Sequence, residues 1–198
     1  LGSTSVWVQR LSYVGELGYE IYVENKYAYK IYNLIIEIGK KFKLSHCGAH
    51  AMDTMRMESG FLHWGYDISP EENQYQAGLN FAISYKKPFN FIGKKKLLKI
   101  KDQKLDKRFA MFSLKNSKPG NPLLLHEEPI YLNNKIIGKT TSGNYSFNYN
   151  KNLSFGYIKS DLPNTYLKEM NLFIEIEKKK YQADLLLKPL KQGNFKKI

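Results

Sequence analysis

A single cysteine, Cys47, occurs in 198 residues. No disulfide can form within the chain, and a reducing, intracellular compartment is compatible with it. Arginine is almost as scarce: Arg10, Arg56 and Arg108 are the only ones, although the formal net charge is +13. Lysine supplies the rest of the positive charge, spread over the whole length among asparagine, isoleucine and tyrosine. Recognition of phosphates and base edges favours the bidentate fork of arginine, so the excess reads as a solvated lysine-rich surface and argues against nucleic acid as a partner. A small anionic ligand is still favoured by such a field. The sequence also lacks an apolar run long enough to span a membrane, a signal peptide, an internal repeat, a glycine-rich phosphate loop and a dinucleotide fingerprint. These absences leave a folded, soluble chain with ordinary apolar content, enough for one or two domains. Leu1 already lies in a strand-like run, so the chain reads as a fragment of a longer polypeptide, and a missing targeting signal says little about location.

What is present is organised around Ser12 to Tyr22, SYVGELGYEIY. Val6, Val8 and Leu11 to Val14 lead in with strand-forming residues, and Tyr19, Ile21 and Val23 alternate on the way out. Gly15 and Gly18 bracket the reversal, which predicts a hairpin closing through Glu16 and Leu17. That hairpin would bring Tyr13 beside Glu20, setting a phenol ring next to a carboxylate, an arrangement suited to a flat, hydrogen-bond-donating heterocycle. From this stretch alone, a half-buried strand tyrosine and a solvated acid is the plainer reading.

Further on, Ile31, Ile35, Ile38 and Phe42 recur at helical spacing and predict a helix over Tyr29 to Phe42. A second helix is expected from about Gly48 to Ser59, stopped by Gly60, with Met52, Met55 and Met57 filling core gaps. His46, Cys47 and His50 invite a metal or nucleophile hypothesis, but no second ligand cluster supports it. Phe61 to Asp67, FLHWGYD, reads as an aromatic loop, Ala77 to Tyr85 as a strand, and the lysines around Lys94 to Lys96 as the solvated face of a short basic helix or turn. From about Lys101 short strands and turns take over. Phe109 to Leu114 is one strand. Pro129 to Leu132 pairs with Lys135 to Gly138 through Asn133 and Asn134, and Leu172 to Glu177 pairs with Tyr181 to Leu187. This pattern predicts a small all-β barrel or sandwich.

Four stretches carry a resemblance to a known family. SYVGELGYEIY has the Gly-Glu-x-Gly-x-Glu core at Gly15, Glu16, Gly18 and Glu20. Ala51 to Phe81 resembles a helix, His-Trp loop and Ala-Gly-Leu segment. Phe91 to Lys94 resembles a Phe-Ile-Gly-Arg/Lys turn, and Gly138 to Ser146, GKTTSGNYS, a Gly-x-x-Thr-Ser-Gly-x-Tyr-Ser signature. Together they resemble the folate-binding aminomethyltransferases of the glycine cleavage system, and more closely the carboxy-terminal part of sarcosine and dimethylglycine dehydrogenases. The likeness spans nearly the whole chain in the expected order.

The resemblance implies an α+β fold. Residues 1–103 would be the C-terminal half of a tetrahydrofolate-binding domain, a ferredoxin-like sheet with helices, and residues 104–198 a small antiparallel β-barrel domain. It implies that Glu20 accepts hydrogen bonds from the pterin's ring N–H and 2-amino group, since two adjacent donors match two carboxylate oxygens. Tyr13 would line the same cavity, and Phe61, Trp64 and Tyr66 are aromatic wall or core. In the dehydrogenases a separate flavin domain, with its FAD, oxidises an N-methyl amine to an iminium, which the folate captures as 5,10-methylenetetrahydrofolate. The family's catalytic aspartate falls before the region matched here, so no residue of this chain inherits that role, and the fragment alone is expected to be inactive. Asp53 takes a supporting structural part. The implied partners are a methylamine substrate and the upstream flavin domain, with no membrane. The implied location is the cytoplasm, or the mitochondrial matrix in a eukaryotic cell.

Two departures stand out. Met52 occupies the place of the aminomethyltransferases' arginine, as apolar residues do in the dehydrogenases, and Gln74-Tyr75-Gln76 replaces Pro-x-Glu. The alternatives are an aminomethyltransferase, a folate-family relative that acts on RNA, and a non-catalytic module with a decayed site.

Overall fold

The computed structural model describes residues 1–191, which divide by their contacts into two compact units. The first holds Leu1–Phe61 together with Lys191, and the second Leu62–Leu190.

In the first unit, strands β1 (Trp7–Gln9) and β2 (Glu20–Tyr22) pair antiparallel, with Trp7 opposite Tyr22, Val8 opposite Ile21 and Gln9 opposite Glu20. The pairing is earlier than the sequence suggests. Leu11 to Val14 are not strand, and residues 10–19 form a long connection. The reversal does not close through Glu16 and Leu17, and the residue across from Glu20 is Gln9, not Tyr13. Gly15 takes a φ of +66°, and a Cβ there would lie 2.0 Å from Ser59 Oγ, so the connection packs against the end of a helix at a position that only glycine fits.

Helix α1 (Asn25–Gly39) begins four residues before the Tyr29 start expected from the sequence and continues as a 3-10 turn over Lys40–Phe42, ending where Lys43 adopts the left-handed region at φ 59°. Helix α2 (Ala49–Glu58) starts from an extended Gly48, and Gly60, at φ +73°, follows its end as the sequence predicts. Of its methionines only Met57 is fully buried, whereas Met52 is 41% exposed, so the helix presents a narrower apolar face than three core methionines would require.

The second unit opens with loops. Ala77 to Tyr85 is not a strand: Gly78 turns the chain at φ +71° and Asn80–Ala82 makes a 3-10 turn. Just before the segment, the Phe109 N–H donates to the Gln76 carbonyl at 2.7 Å, a contact with the barrel that stops short of a ladder. After helix α3 (Lys94–Lys101) come β3 (Lys107–Leu114), β4 (Pro129–Leu132), β5 (Lys135–Ser146), β6 (Lys151–Lys159), a short helix α4 (Asn164–Glu169), β7 (Leu172–Ile176) and β8 (Lys179–Leu186). The strands close into an antiparallel barrel in the order β3-β6-β5-β4-β7-β8.

Two hairpin turns show why the strands pair in this register. Asn133 and Asn134 take φ of 48° and 65°, the left-handed angles that match strand twist, and Glu177 and Lys178 do the same between β7 and β8. Alternation fills the barrel: Leu172, Ile174 and Ile176 of β7 point inward beside Phe112, Ile130 and Ile158. Each such side chain contributes about 1.5–3 kcal/mol when buried. Strand β6 is buried along nearly its whole length. β5 carries a bulge: Thr140 faces Gly156 and Ser142 faces Phe155, leaving Thr141 as the extra residue.

Candidate functional site

Strand alternation puts Glu20 and Tyr22 on the same face of β2. The Tyr22 hydroxyl donates to Glu20 Oε2 at 2.5 Å. That hydrogen bond, with burial and the carboxylate's charge adding to it, raises the Tyr22 phenol above its ordinary value. The Trp7 ring packs 5.0 Å from the Tyr22 ring, across the ladder. Glu20 is exposed to solvent. Its two oxygens offer about four lone-pair positions, so Tyr22 occupies one and leaves room for two adjacent N–H donors of a ring edge. The remaining acceptor positions therefore fit the pterin edge that the family resemblance implies. Sequence reading missed Tyr22, yet the signal was available, because residues i and i+2 of a strand share a face.

Tyr13 sits half-buried in the 10–19 connection. Its ring stacks on Phe61, with centroids 6.3 Å apart and planes 18° from parallel. Both partners are anchored locally. Gly18 lies so close that a Cβ would meet the Leu11 carbonyl at 3.0 Å. The Lys191 ammonium bonds Glu16, and the Lys191 N–H donates to the Glu58 carbonyl at 2.8 Å, tying the connection to the end of α2. On the other side Arg56, only 2% exposed, donates from Nε to Asp53 Oδ1 at 2.8 Å and from its terminal nitrogen to the Phe61 carbonyl at 3.1 Å. Asp53 thus orients the guanidinium that holds the turn bearing Phe61.

Trp64 belongs to the second unit and is 66% exposed. It lies in a tight loop in which the His63 carbonyl accepts from the Asp67 N–H at 2.8 Å and the Ile68 carbonyl accepts from the Gly65 N–H at 2.8 Å. The His63 and Tyr66 rings meet edge to face at 4.8 Å. Tyr157 donates its hydroxyl to the Asp67 carbonyl at 2.9 Å, and burial pushes that phenol well up, helped by the charges of Glu72 and Asp67. Of the four residues singled out from the sequence, the structure brings Tyr13 and Phe61 into contact. It pairs Glu20 with Tyr22 and sets Trp64 in a loop of its own unit. An apolar cavity of about 360 Å³ in the first unit is lined by Leu1, Gly2, Leu34, Ile35, Ile38, Gly39, Phe42 and Leu44, and none of the four contributes to it.

A short sheet with helices followed by a closed six-stranded antiparallel barrel is the architecture of a solved aminomethyltransferase T of the glycine cleavage system from Bartonella henselae. The two match with a TM-score of 0.80 over 94% of this chain and 50% of that one, at 21% identity. Residues 1–87 match the GCVT N-terminal domain and residues 107–191 the glycine cleavage T-protein C-terminal barrel domain. The chain belongs to the glycine cleavage T-protein family, as the four sequence motifs indicate. Among its relatives, the mitochondrial dimethylglycine dehydrogenase of Homo sapiens is 33% identical over 91% of this chain and 20% of its own length. An aminomethyltransferase of Thermoanaerobacter pseudethanolicus is 35% identical over 96% of this chain and 50% of its own length. The chain therefore spans a fifth to a half of these relatives.

Proposed function

We propose that this chain is the tetrahydrofolate-binding portion of a sarcosine or dimethylglycine dehydrogenase-like enzyme, in which the one-carbon unit of an N-methyl amine is captured as 5,10-methylenetetrahydrofolate. The observation that carries the reading is the solvent-accessible Glu20 carboxylate, oriented on β2 by the Tyr22 hydroxyl. Glu20 accepts from the pterin edge, while Tyr13 and Phe61 supply aromatic surface to the ligand; Trp64 is assigned to folate by the family resemblance alone. Folate supplies the nucleophilic nitrogen that takes up the one-carbon unit. This chain's residues bind and orient it. The parent brings a flavin domain with FAD and a methylamine substrate, and works in the cytoplasm, or in the mitochondrial matrix of a eukaryotic cell.

In domain terms we assign residues 1–103 to the folate-binding domain and 104–198 to the barrel domain. The change from helix α3 to strand β3 between Lys101 and Lys107 supports this boundary, whereas contacts alone group residues 62–103 with the barrel. Among the described residues no helix is long and apolar enough to cross a membrane. A second reading, an aminomethyltransferase, is favoured by the 96% of this chain that aligns with the Thermoanaerobacter enzyme. Met52 weighs toward the dehydrogenase.

Folinic acid titrated into the full-length protein is expected to quench tryptophan fluorescence, with Glu20→Ala weakening binding by roughly ten- to a hundredfold, the loss of charge-assisted hydrogen bonds. Binding indifferent to Glu20 would remove the carboxylate from the site.

A further inference from the structure

The end of α2 is secured by more than a helix stop requires. Gly60, at φ +73°, lets the chain leave the helix; its N–H donates to the Met57 carbonyl at 3.0 Å, and the Phe61 N–H donates to the Arg56 carbonyl at 2.9 Å. These two bonds take up carbonyls left open at a helix end, so the backbone alone completes the stop. The Arg56 side chain then adds a bond from a terminal nitrogen to the Phe61 carbonyl at 3.1 Å. One residue thus holds Phe61 at both its N–H and its C=O.

A guanidinium is a demanding group to place there. Arg56 is 2% exposed, and a buried cation loses hydration that hydrogen bonds and an opposite charge must replace. Asp53, three residues earlier on the same helix, supplies both, accepting from Arg56 Nε at 2.8 Å. The planar fork lets one nitrogen engage the carboxylate while another reaches the carbonyl, a geometry that the single ammonium of lysine does not reproduce. What the arrangement fixes is the backbone that carries the Phe61 ring. That ring lies 18° from parallel to the Tyr13 ring, with centroids 6.3 Å apart. Tyr13, Asp53, Arg56 and Phe61 all belong to the first unit, as does Glu20.

We propose that Arg56 is a positioning residue for the ligand site. Oriented by Asp53, it holds both polar groups of the Phe61 backbone and so keeps the Phe61 ring against Tyr13, where the pair meets a folate as a preformed flat wall. The inference rests on the folate reading above. Rings already fixed lose little conformational freedom on binding, whereas a Phe61 free to turn must first be ordered, which weakens affinity. Arg56 acts on the ligand only through Phe61.

The test is calorimetric titration of folinic acid into the full-length protein and its variants. Arg56→Lys, which keeps the charge and loses the fork, is expected to weaken binding roughly fivefold, and Asp53→Asn roughly threefold. In a Phe61→Ala background, adding Arg56→Lys should change affinity no further, because the ring is the route by which the arginine acts. Ile31→Val, which removes one buried methyl from α1, should lower the melting temperature and leave affinity unchanged. Glu20→Ala is the control for the folate site. If Arg56→Lys lowers the melting temperature and leaves affinity unchanged while Glu20→Ala still weakens it, the positioning role is overturned and the folate reading stands. A further loss in the Phe61→Ala background overturns the role as well, and so does a loss in Ile31→Val equal to that in Arg56→Lys. If Arg56→Lys does not fold, an unchanged affinity for Asp53→Asn overturns it. No binding by the unmutated protein overturns both.

Discussion

Tyr22 matters to the site through one hydrogen bond. It donates to the carboxylate that the folate reading assigns to the pterin, and by that bond sets which way Glu20 faces. Removing the hydroxyl with Tyr22→Phe keeps the ring on Trp7, so folding stability should change by less than about 0.5 kcal/mol, as for other exposed positions. Folinic acid affinity should fall about fivefold, the worth of one hydrogen bond, and paired melting and titration experiments would separate the two effects. Equal losses in stability and affinity would assign Tyr22 to structure alone. The contrast between Tyr22 and Asp67 shows what a sequence carries at this scale. Glu20 and Tyr22 are two apart, so their shared face is legible from alternation. Asp67 meets Thr141 and Ser142 across 74 and 75 residues, and only barrel closure makes its burial tolerable. Nothing local in FLHWGYD distinguishes that acid from a solvated loop residue.

At the scale of elements, the features that chain chemistry dictates were readable and those that neighbours dictate were not. The periodicity of α1, the glycine stop after α2 and the Asn133-Asn134 reversal follow from side-chain spacing and backbone preference. β6 has apolar and small residues without clear alternation because it is covered along nearly its whole length, and the sequence signal for a half-exposed strand is missing. The AGLNFAISY run has strand composition, but Gly78 turns it away from a ladder. The same logic yields a test in the barrel. Asn134 holds a φ of 65°, which a β-branched residue adopts only under strain. Asn134→Val should cost about 1–2 kcal/mol and Asn134→Gly almost nothing, read from thermal melting. Equal melting temperatures for the two would show that the β4–β5 turn does not depend on left-handed angles.

For the molecule as a whole, the two units differ in how they are sustained. The barrel closes on itself and leaves no sheet edge, while the ribbon β1–β2 has two strands of three residues, a size that is marginal unless it packs on other structure. The segment before the barrel is fastened to it by charge. Burial by itself would raise Glu72, but hydrogen bonds from Lys107 and Ser69 outweigh it and hold the carboxyl below its ordinary value. The Gln76 side-chain amide, with the Lys107 N–H, holds Asp106 down as well. Because both folded values are lowered, these acids stabilise the unit above the unfolded carboxylate value of about 4, and that stability is lost as pH falls through the folded values. Melting temperature should therefore drop from about pH 5 downward, and Lys107→Met should flatten that drop by removing the lysine that favours ionised Glu72. An acid limb identical in wild type and Lys107→Met would contradict the assignment. The proposed folate binding rests on one carboxylate, and the most direct measurement on it is the calorimetric affinity of folinic acid for Glu20→Gln in the full-length protein. Glutamine keeps the shape but presents an N–H₂ where the ring edge brings a donor, so an affinity at least roughly tenfold weaker than wild type is expected; an unchanged affinity would contradict the account.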